Sequence, residues 1–383
     1  MKVNREELLR RLSAVEAGWS PRPTVEQSDC LVFQDGQVIT FNDEVSCRAP
    51  SGLDRAIRGA VPAKKLLEIL GKFIEDVLDV SQDRGELRLR GKNRAAGVRC
   101  EAEIVLPIDA LEVPAEDAWQ GLPEGFLHAL EVVQSCAGSD ESQFALTCVH
   151  ITPDWIEACD NFQLARYTLA MPLARPVLVR KDSLKAILPL GTTEFAETAS
   201  WLHFRNAEVV VSCRRFLEEY KELTRLLEVE GAPCALPKGL GEAAKRAEVF
   251  SSENVDDNHV RVELQSGLVR IEGRSASGWF RETVRCQYTG AALVFTIAPK
   301  LLQEILGKHH TCLLSATRLK VDGGPWVYIT ALGKPPPSTG EGNAPPEEEE
   351  MPQRGRRKKA TAAVEVAEGE ELEEEGDAGE DGE

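Results

Sequence analysis

The chain has 383 residues, 42% apolar and 28% charged, which fits folded globular domains and excludes a low-complexity or fibrous chain. No stretch approaches the run of about 18 apolar residues that a membrane helix needs. The N-terminal MKVNREELLRRL is charged where a signal peptide is apolar, so the expected location is cytoplasmic, with no membrane partner. The formal net charge is −18, of which residues 335–383 carry −11 and residues 1–334 carry −7; a nucleic-acid partner would have to be recognised by local positive charge. Ten cysteines are scattered without a CxxC pair or a His-x3-5-His spacing. They are expected as reduced core thiols, and no metal or other cofactor is implied.

In chain order, Leu8, Leu9, Leu12 and Val15 recur at helical spacing and predict a helix over 4–17. VFQDGQVITF at 32–41 alternates around Asp-Gly and predicts a hairpin. VPAKKLLEILGKF predicts a helix over 61–73, and LRLRG at 87–91 a strand. Further helices are expected over 122–138, 180–190, 237–250 and 297–310, and hairpins over 201–213, turning at Asn206, and 259–273, turning at Gly267. The last apolar run ends at Gly333. Residues 334–383 are acidic, with a basic RGRRKK cluster and few apolar side chains, and are expected to be disordered.

These elements repeat. Leu66, Leu184 and Leu302 stand 118 residues apart, as do Ile69, Ile187 and Ile305, and Leu70, Leu188 and Leu306. Leu8, Leu9, Leu12 and Val15 recur 118 residues later as Phe126, Leu127, Leu130 and Val133. LPEGF at 122–126 returns 114 residues on as LPKGL at 236–240, so the third copy is trimmed. The expected fold class is α+β: three tandem units, 1–117, 118–229 and 230–333, each two helices and about eight short strands, with the helices on one face of antiparallel sheet.

The quoted segments carry a resemblance. FLHALEVVQSCAGSDESQFALTCVHI (126–151) and IEACDNFQLARYTLAMPL (156–173) are similar to the start of the second domain of the beta sliding clamps of bacterial DNA polymerase III. SPRPTVEQSDCLVF, VPAKKLLEIL and RAEVFSSE match other parts of that family in the same order. The resemblance implies a non-catalytic processivity factor. Two chains would close a six-unit ring around duplex DNA, with helices lining the hole. Its partners would be DNA polymerase, clamp loader and other proteins carrying short clamp-binding motifs.

The six predicted helices carry +4 together, against −11 on the rest of residues 1–334. The resemblance puts Arg10, Arg11, Arg22, Lys64, Lys65, Lys72, Lys181, Lys185, Lys245, Arg246, Lys300 and Lys308 toward DNA phosphates. Phe144 could add stacking, although the family's Arg-Tyr-Tyr is Gln143-Phe144-Ala145 here. The implied partner pocket is built from Leu146, Cys159, Asn161, Phe162, Gln163, Leu164, Tyr220, Leu223, Val327 and Ile329. It departs from the family at Asn161-Phe162-Gln163, where Gly-His-Arg is usual, and at Leu217-Glu218-Glu219-Tyr220, where Phe-Pro-Asp-Tyr is usual. These departures predict altered partner preference. The implied dimer seam sets Leu111 against Val249 and Phe250.

Catalytic signatures are missing: there is no P-loop, GxSxG or HExxH, and none of the six histidines stands obviously beside a nucleophile. A clamp-like scaffold that binds partner motifs without loading as a ring is the competing reading.

Overall fold

The chain opens on Lys2–Asn4, a three-residue strand that hands directly into the first helix through the Asn4 cap. The structure, a computed structural model, describes residues 1–22, 25–251 and 258–334. The expected acidic tail and its RGRRKK cluster therefore lie outside the described residues, apart from Lys334.

Among the described residues, six α-helices fall where the apolar periodicity puts them: α1 (Arg5–Ser13), α2 (Ala63–Lys72), α3 (Phe126–Val133), α4 (Lys181–Lys185), α5 (Gly239–Ser251) and α6 (Pro299–Lys308). The Asn4 side chain accepts from the Glu7 N–H at 2.9 Å, with acids in the first turn of α1 and arginines in the last. Pro299 starts α6, where its missing N–H costs no helical bond.

All six are shorter than the ranges the sequence suggested, and α1, α3 and α4 fall short by five residues or more. The helix expected over 180–190 stops at Lys185 and gives way to a 3-10 turn at Leu188–Leu190, because Pro189 cannot donate within an α-helix. The helix expected from 122 begins at Phe126, after Pro123 and a left-handed Gly125 (φ 84°). It ends at Val133, and a 3-10 turn follows, as one also follows α1 at Glu16–Gly18.

The repeat is a burial repeat. Leu66, Leu184 and Leu302 are fully buried, as are Leu12, Leu130 and Ala244 on the first helices. In α5 the large apolar residues give way to Ala243, Ala244 and Ala247. This lets the strand Leu268–Arg274 approach closely: a Cβ at Gly273 would lie 2.0 Å from the Ala247 carbonyl oxygen.

The sheets are antiparallel. Residues 1–117, 118–229 and 230–333 hold eight, eight and nine strands among the described residues. Both internal boundaries are crossed by continuous pairing. Val45–Pro50 pairs with Val210–Phe216, setting Cys47 opposite Val211. Gln163–Thr168 pairs with Trp326–Ala331, setting Leu164 opposite Ile329. Two separate four-stranded sheets remain, in residues 2–99 and 260–297; Ala95–Arg99 is an outer strand of the first and Trp279–Arg285 of the second.

Candidate partner groove and cationic helices

The strand pair at the second boundary has two different faces, because side chains alternate along a strand. On one face, Leu146, Cys159, Leu164 and Leu223 form a small buried cluster, with Tyr220 and Leu227 packed against it. Five of the residues expected in a partner pocket are thus gathered in one place. Leu227 was missed, although it stands one helical turn beyond Leu223 in TRLLEV.

The cluster is tied together by Tyr220. The Cys159 N–H donates to the Tyr220 hydroxyl at 3.0 Å, and that hydroxyl donates to Cys159 Sγ at 3.4 Å. Burial pushes both the Tyr220 hydroxyl and the Cys159 thiol up from their ordinary ranges, so both stay protonated. His150 lies against the Tyr220 ring at 4.5 Å between centroids.

Beside the cluster, on the same face of the sheet, is a charged network that the sequence reading did not include. Glu157 is 2% exposed and receives Arg166 Nε at 2.8 Å on one oxygen, with His150 Nδ1 at 2.9 Å from the other. Arg166 also donates to Thr224 Oγ1 at 3.1 Å and stacks 4.5 Å over Trp155. Arg166 therefore fastens the segment that carries Leu223 and Leu227 to the sheet.

The loop after Cys159 is built by Asp160. Its Oδ1 accepts from the Phe162 and Gln163 N–H groups at 2.6 and 2.7 Å, an Asx-type turn. Asn161 and Phe162 stand at the tip, and Phe162 is 66% exposed. Ala331 N–H donates to the Phe162 carbonyl at 2.7 Å, so the last strand braces the loop. Ile329 is buried opposite Leu164, and Val327 is half-buried opposite Arg166.

Gln163 turns toward the other face. Its Nε2 donates to the Ser135 carbonyl at 3.3 Å, and its Oε1 accepts from Tyr328 at 3.1 Å. On that face a cavity of about 300 Å³ opens between α3 and α6, lined by His128, Glu131, Glu304, Lys308 and Trp326 among others.

The cations expected to face DNA fall into two groups. On the first helices they are paired. Arg10 bonds Glu7 and Glu208, and Arg11 bonds Glu7. Lys245 bonds Glu242 at 2.7 Å, and Arg246 bonds both carboxylate oxygens of Glu282. The two arginines hold the Glu7 carboxyl at about 2. On the second helices, Lys64, Lys65, Lys72, Lys185, Lys300 and Lys308 are exposed and form no ion pair among the described residues. Lys181 donates to the Ala137 carbonyl and Ser139 Oγ, both neutral. Arg22 is exposed. Phe144 is half-buried, edge-on to Phe216 at 4.8 Å with Arg180 over its ring at 5.4 Å, so its face is already occupied.

The residues named for the dimer seam lie apart in the chain's own packing. Leu111 packs against the cluster that includes Ile108 and Trp201. Val249, 63% exposed, and Phe250 end α5, with the Phe250 ring beside Gly278. The adjoining outer strand carries Trp279, which is 48% exposed.

Among the described residues, no group of three or more His, Cys, Asp or Glu is arranged to hold a metal ion, and no helix is long and apolar enough to cross a membrane.

Repeated two-helix units on antiparallel sheet that runs through both unit boundaries define the class: this is a DNA-clamp fold. Within that class, the chain is similar in structure to beta subunits of bacterial DNA polymerase III. It matches the DnaN sliding clamp of Bartonella birtlesii, solved bound to griselimycin, with a TM-score of 0.77 at 16% identity, over 87% of this chain and 99% of that one. The beta chain of Thermotoga maritima matches with a TM-score of 0.74 at 16% identity, over 88% and 99%. The beta subunit of Pseudomonas aeruginosa matches with a TM-score of 0.72 at 18% identity, over 87% and 99%. No protein-family model matches the chain, and no curated protein matches it.

Proposed function

We propose that the chain is a DNA polymerase processivity clamp. Two copies close into a ring around duplex DNA, slide along it without reading sequence, and hold polymerase and other partners through the Tyr220–Leu223 groove. One observation carries the DNA side of this reading: the lysines left without ion pairs stand on the second helix of each unit. A repeated, loosely placed positive surface attracts phosphates without fixing a register, which is what sliding needs. The groove reading is supported by the shared cluster of Leu146, Cys159, Leu164, Tyr220 and Leu223 beside the exposed Phe162.

Ring closure is supported by the outer strands Ala95–Arg99 and Trp279–Arg285, whose unused backbone groups a second copy can pair. Val249, Phe250 and Trp279 supply apolar surface beside the second strand. On the unit-one side, Ile74, 71% exposed just after α2, suits the seam better than Leu111. A second reading, a clamp-like scaffold that binds partner motifs without loading, is favoured by the departures at 143–145 and 161–163, where Phe144 is already packed against Phe216 and Arg180.

The deciding experiment loads the protein on nicked circular DNA with a clamp loader and ATP, then linearises the DNA. A sliding ring is retained on the circle and lost from the ends after cutting. Retention after cutting, or no retention on the circle, overturns the clamp reading, and the second outcome favours the scaffold.

A further inference from the structure

Three of the ten cysteines line one open groove in the third unit. Cys234, Cys286 and Cys312 share a depression of about 550 Å³ with Ser266 and Tyr288. Cys234 on the strand Ala232–Ala235 stands directly opposite Cys312 on Thr311–Leu314 in antiparallel register. Opposed residues in such a pair have Cα atoms about 4.5–5.5 Å apart, inside the roughly 4.4–6.8 Å that a disulfide spans. Cys312 Sγ donates to the Cys234 carbonyl oxygen at 3.8 Å. The proximity of the two thiols shifts them in opposite directions, Cys234 down from its ordinary range and Cys312 up. Two thiols opposed on neighbouring strands at the wall of one open groove have the arrangement of a nucleophile with a resolving partner.

The remaining cysteines differ. Cys47 and Cys213 are also neighbours, but both are wholly enclosed, and burial pushes both thiols up, Cys47 to about 12. Cys286 is the one cysteine that is not buried, and its thiol is raised by burial and by the charge of Cys234. Only the pair at 234 and 312 combines an open groove with direct opposition across two strands.

We propose that Cys234 and Cys312 form a redox-modification site that closes to a reversible disulfide when a hydroperoxide enters the groove. The Cys234 thiolate attacks the terminal peroxide oxygen. An S–O bond forms, the O–O bond breaks, and the alcohol, or water from hydrogen peroxide, leaves with a proton. The Cys312 sulfur then attacks the sulfenic sulfur of Cys234. The S–S bond forms, the S–O bond breaks, and the hydroxyl leaves as water with the Cys312 proton. Two thiols are oxidised and one peroxide is reduced. A dithiol reductant reverses the cross-link by exchange.

The test treats the full, reduced chain with hydrogen peroxide, blocks the remaining thiols, and maps the disulfides by mass spectrometry of a non-reduced digest. The expected product is a peptide pair joined through Cys234 and Cys312 that disappears on treatment with dithiothreitol. Cys286→Ser keeps this cross-link. Cys312→Ser loses it and leaves a Cys234 sulfenic acid that a cyclic 1,3-dione traps; Cys234→Ser loses both products. A wild-type chain whose oxidation is confined to Cys286, or whose cross-link joins Cys234 to Cys286, overturns the proposal. So does one that resists peroxide at all three sites. The wild-type digest decides these points even where a serine variant fails to fold.

Discussion

Glu157 and Arg166 form an ion pair at 2.7 Å on the sheet beside the Tyr220 cluster, and both side chains are almost wholly buried. Each carboxylate oxygen has its own cationic or imidazole partner, so removing one member strands a charge away from water. Arg166→Met should destabilise the chain by about 3–5 kcal/mol, read as a lower urea midpoint. The double change Arg166→Met, Glu157→Leu should recover most of the loss, since no isolated charge is left. Equal midpoints for the single variant and the wild type would show that the pair contributes nothing net.

The partition of cations predicts unequal effects on DNA. Replacing Lys64, Lys65 and Lys72 with alanine removes three unpaired charges from α2. Binding to duplex DNA should weaken, and the slope of log K against log salt should flatten by roughly 0.9 for each phosphate that is no longer neutralised. Replacing Lys245 and Arg246 also exposes Glu242 and Glu282, their former partners. That variant should weaken binding through added negative charge while changing the slope less. Equal slope changes in the two variants would remove the distinction between paired and unpaired helices.

The repeat was legible because its period is a burial period: leucines 118 residues apart fill equivalent core positions. The hairpin at 32–41 was legible because Asp35 and Gly36 both take the positive φ that the Asp-Gly turn signals. What the sequence hid is pairing across distance. Helix charges can be counted, but nothing near Arg10 or Arg246 announces that Glu208 and Glu282 will neutralise them. Glu157 and Arg166 were passed over for a similar reason. Strand alternation places them on the same face as Cys159 and Leu164, yet a charged residue in a strand is ordinarily read as solvent-facing. The pocket residues were reached through resemblance, and Gln163 shows the limit of that route: its neighbour in sequence, Leu164, faces the cluster, so Gln163 itself faces α3.

His203 makes the chain acid-sensitive in a definable window. It is buried, its two ring nitrogens bond Ser212 Oγ at 2.7 Å and Thr198 Oγ1 at 2.9 Å, and burial lowers its pKa to about 4. The unfolded imidazole takes a proton near pH 6.5. Between these values the unfolded state binds more protons, so stability is full above about pH 6.5 and falls as pH drops toward 4, by up to about 3 kcal/mol. Carboxylates with lowered values, such as Glu242, lose their contributions in the same direction but from about pH 4.5 downward. His203→Gln should therefore flatten the stability profile between pH 6.5 and 4.5. A variant as pH-dependent as the wild type across that range would place the sensitivity elsewhere.

The proposed ring closure through the end of α5 predicts that Phe250→Asp halves the solution mass, measured by light scattering. Phe250 also packs on Gly278 within the chain, so the variant's circular dichroism must match the wild type for the result to count. Ile74→Asp, at an exposed position after α2, should have the same effect without disturbing the Phe250–Gly278 packing. An unchanged mass in both variants would exclude this seam.

Phe162 is the departure from the clamp pattern with the largest exposed apolar surface, and it stands on a loop fixed by Asp160 and by the last strand. A fixed aromatic beside the Leu164–Leu223 cluster should narrow the groove and favour partners that present an apolar or aromatic residue to it. The exposed Glu218 and Glu219 should disfavour acidic peptides. A standard bacterial clamp-binding peptide should therefore bind this chain more weakly than it binds a standard clamp, and Phe162→His should recover part of the difference. The recovery should appear in the dissociation rate, because the substitution alters packing inside the groove, whereas charge at its rim acts mainly on association. Titration calorimetry with kinetics by surface plasmon resonance would separate the two. Equal affinity of that peptide for the two proteins would mean that Phe162 does not set partner choice.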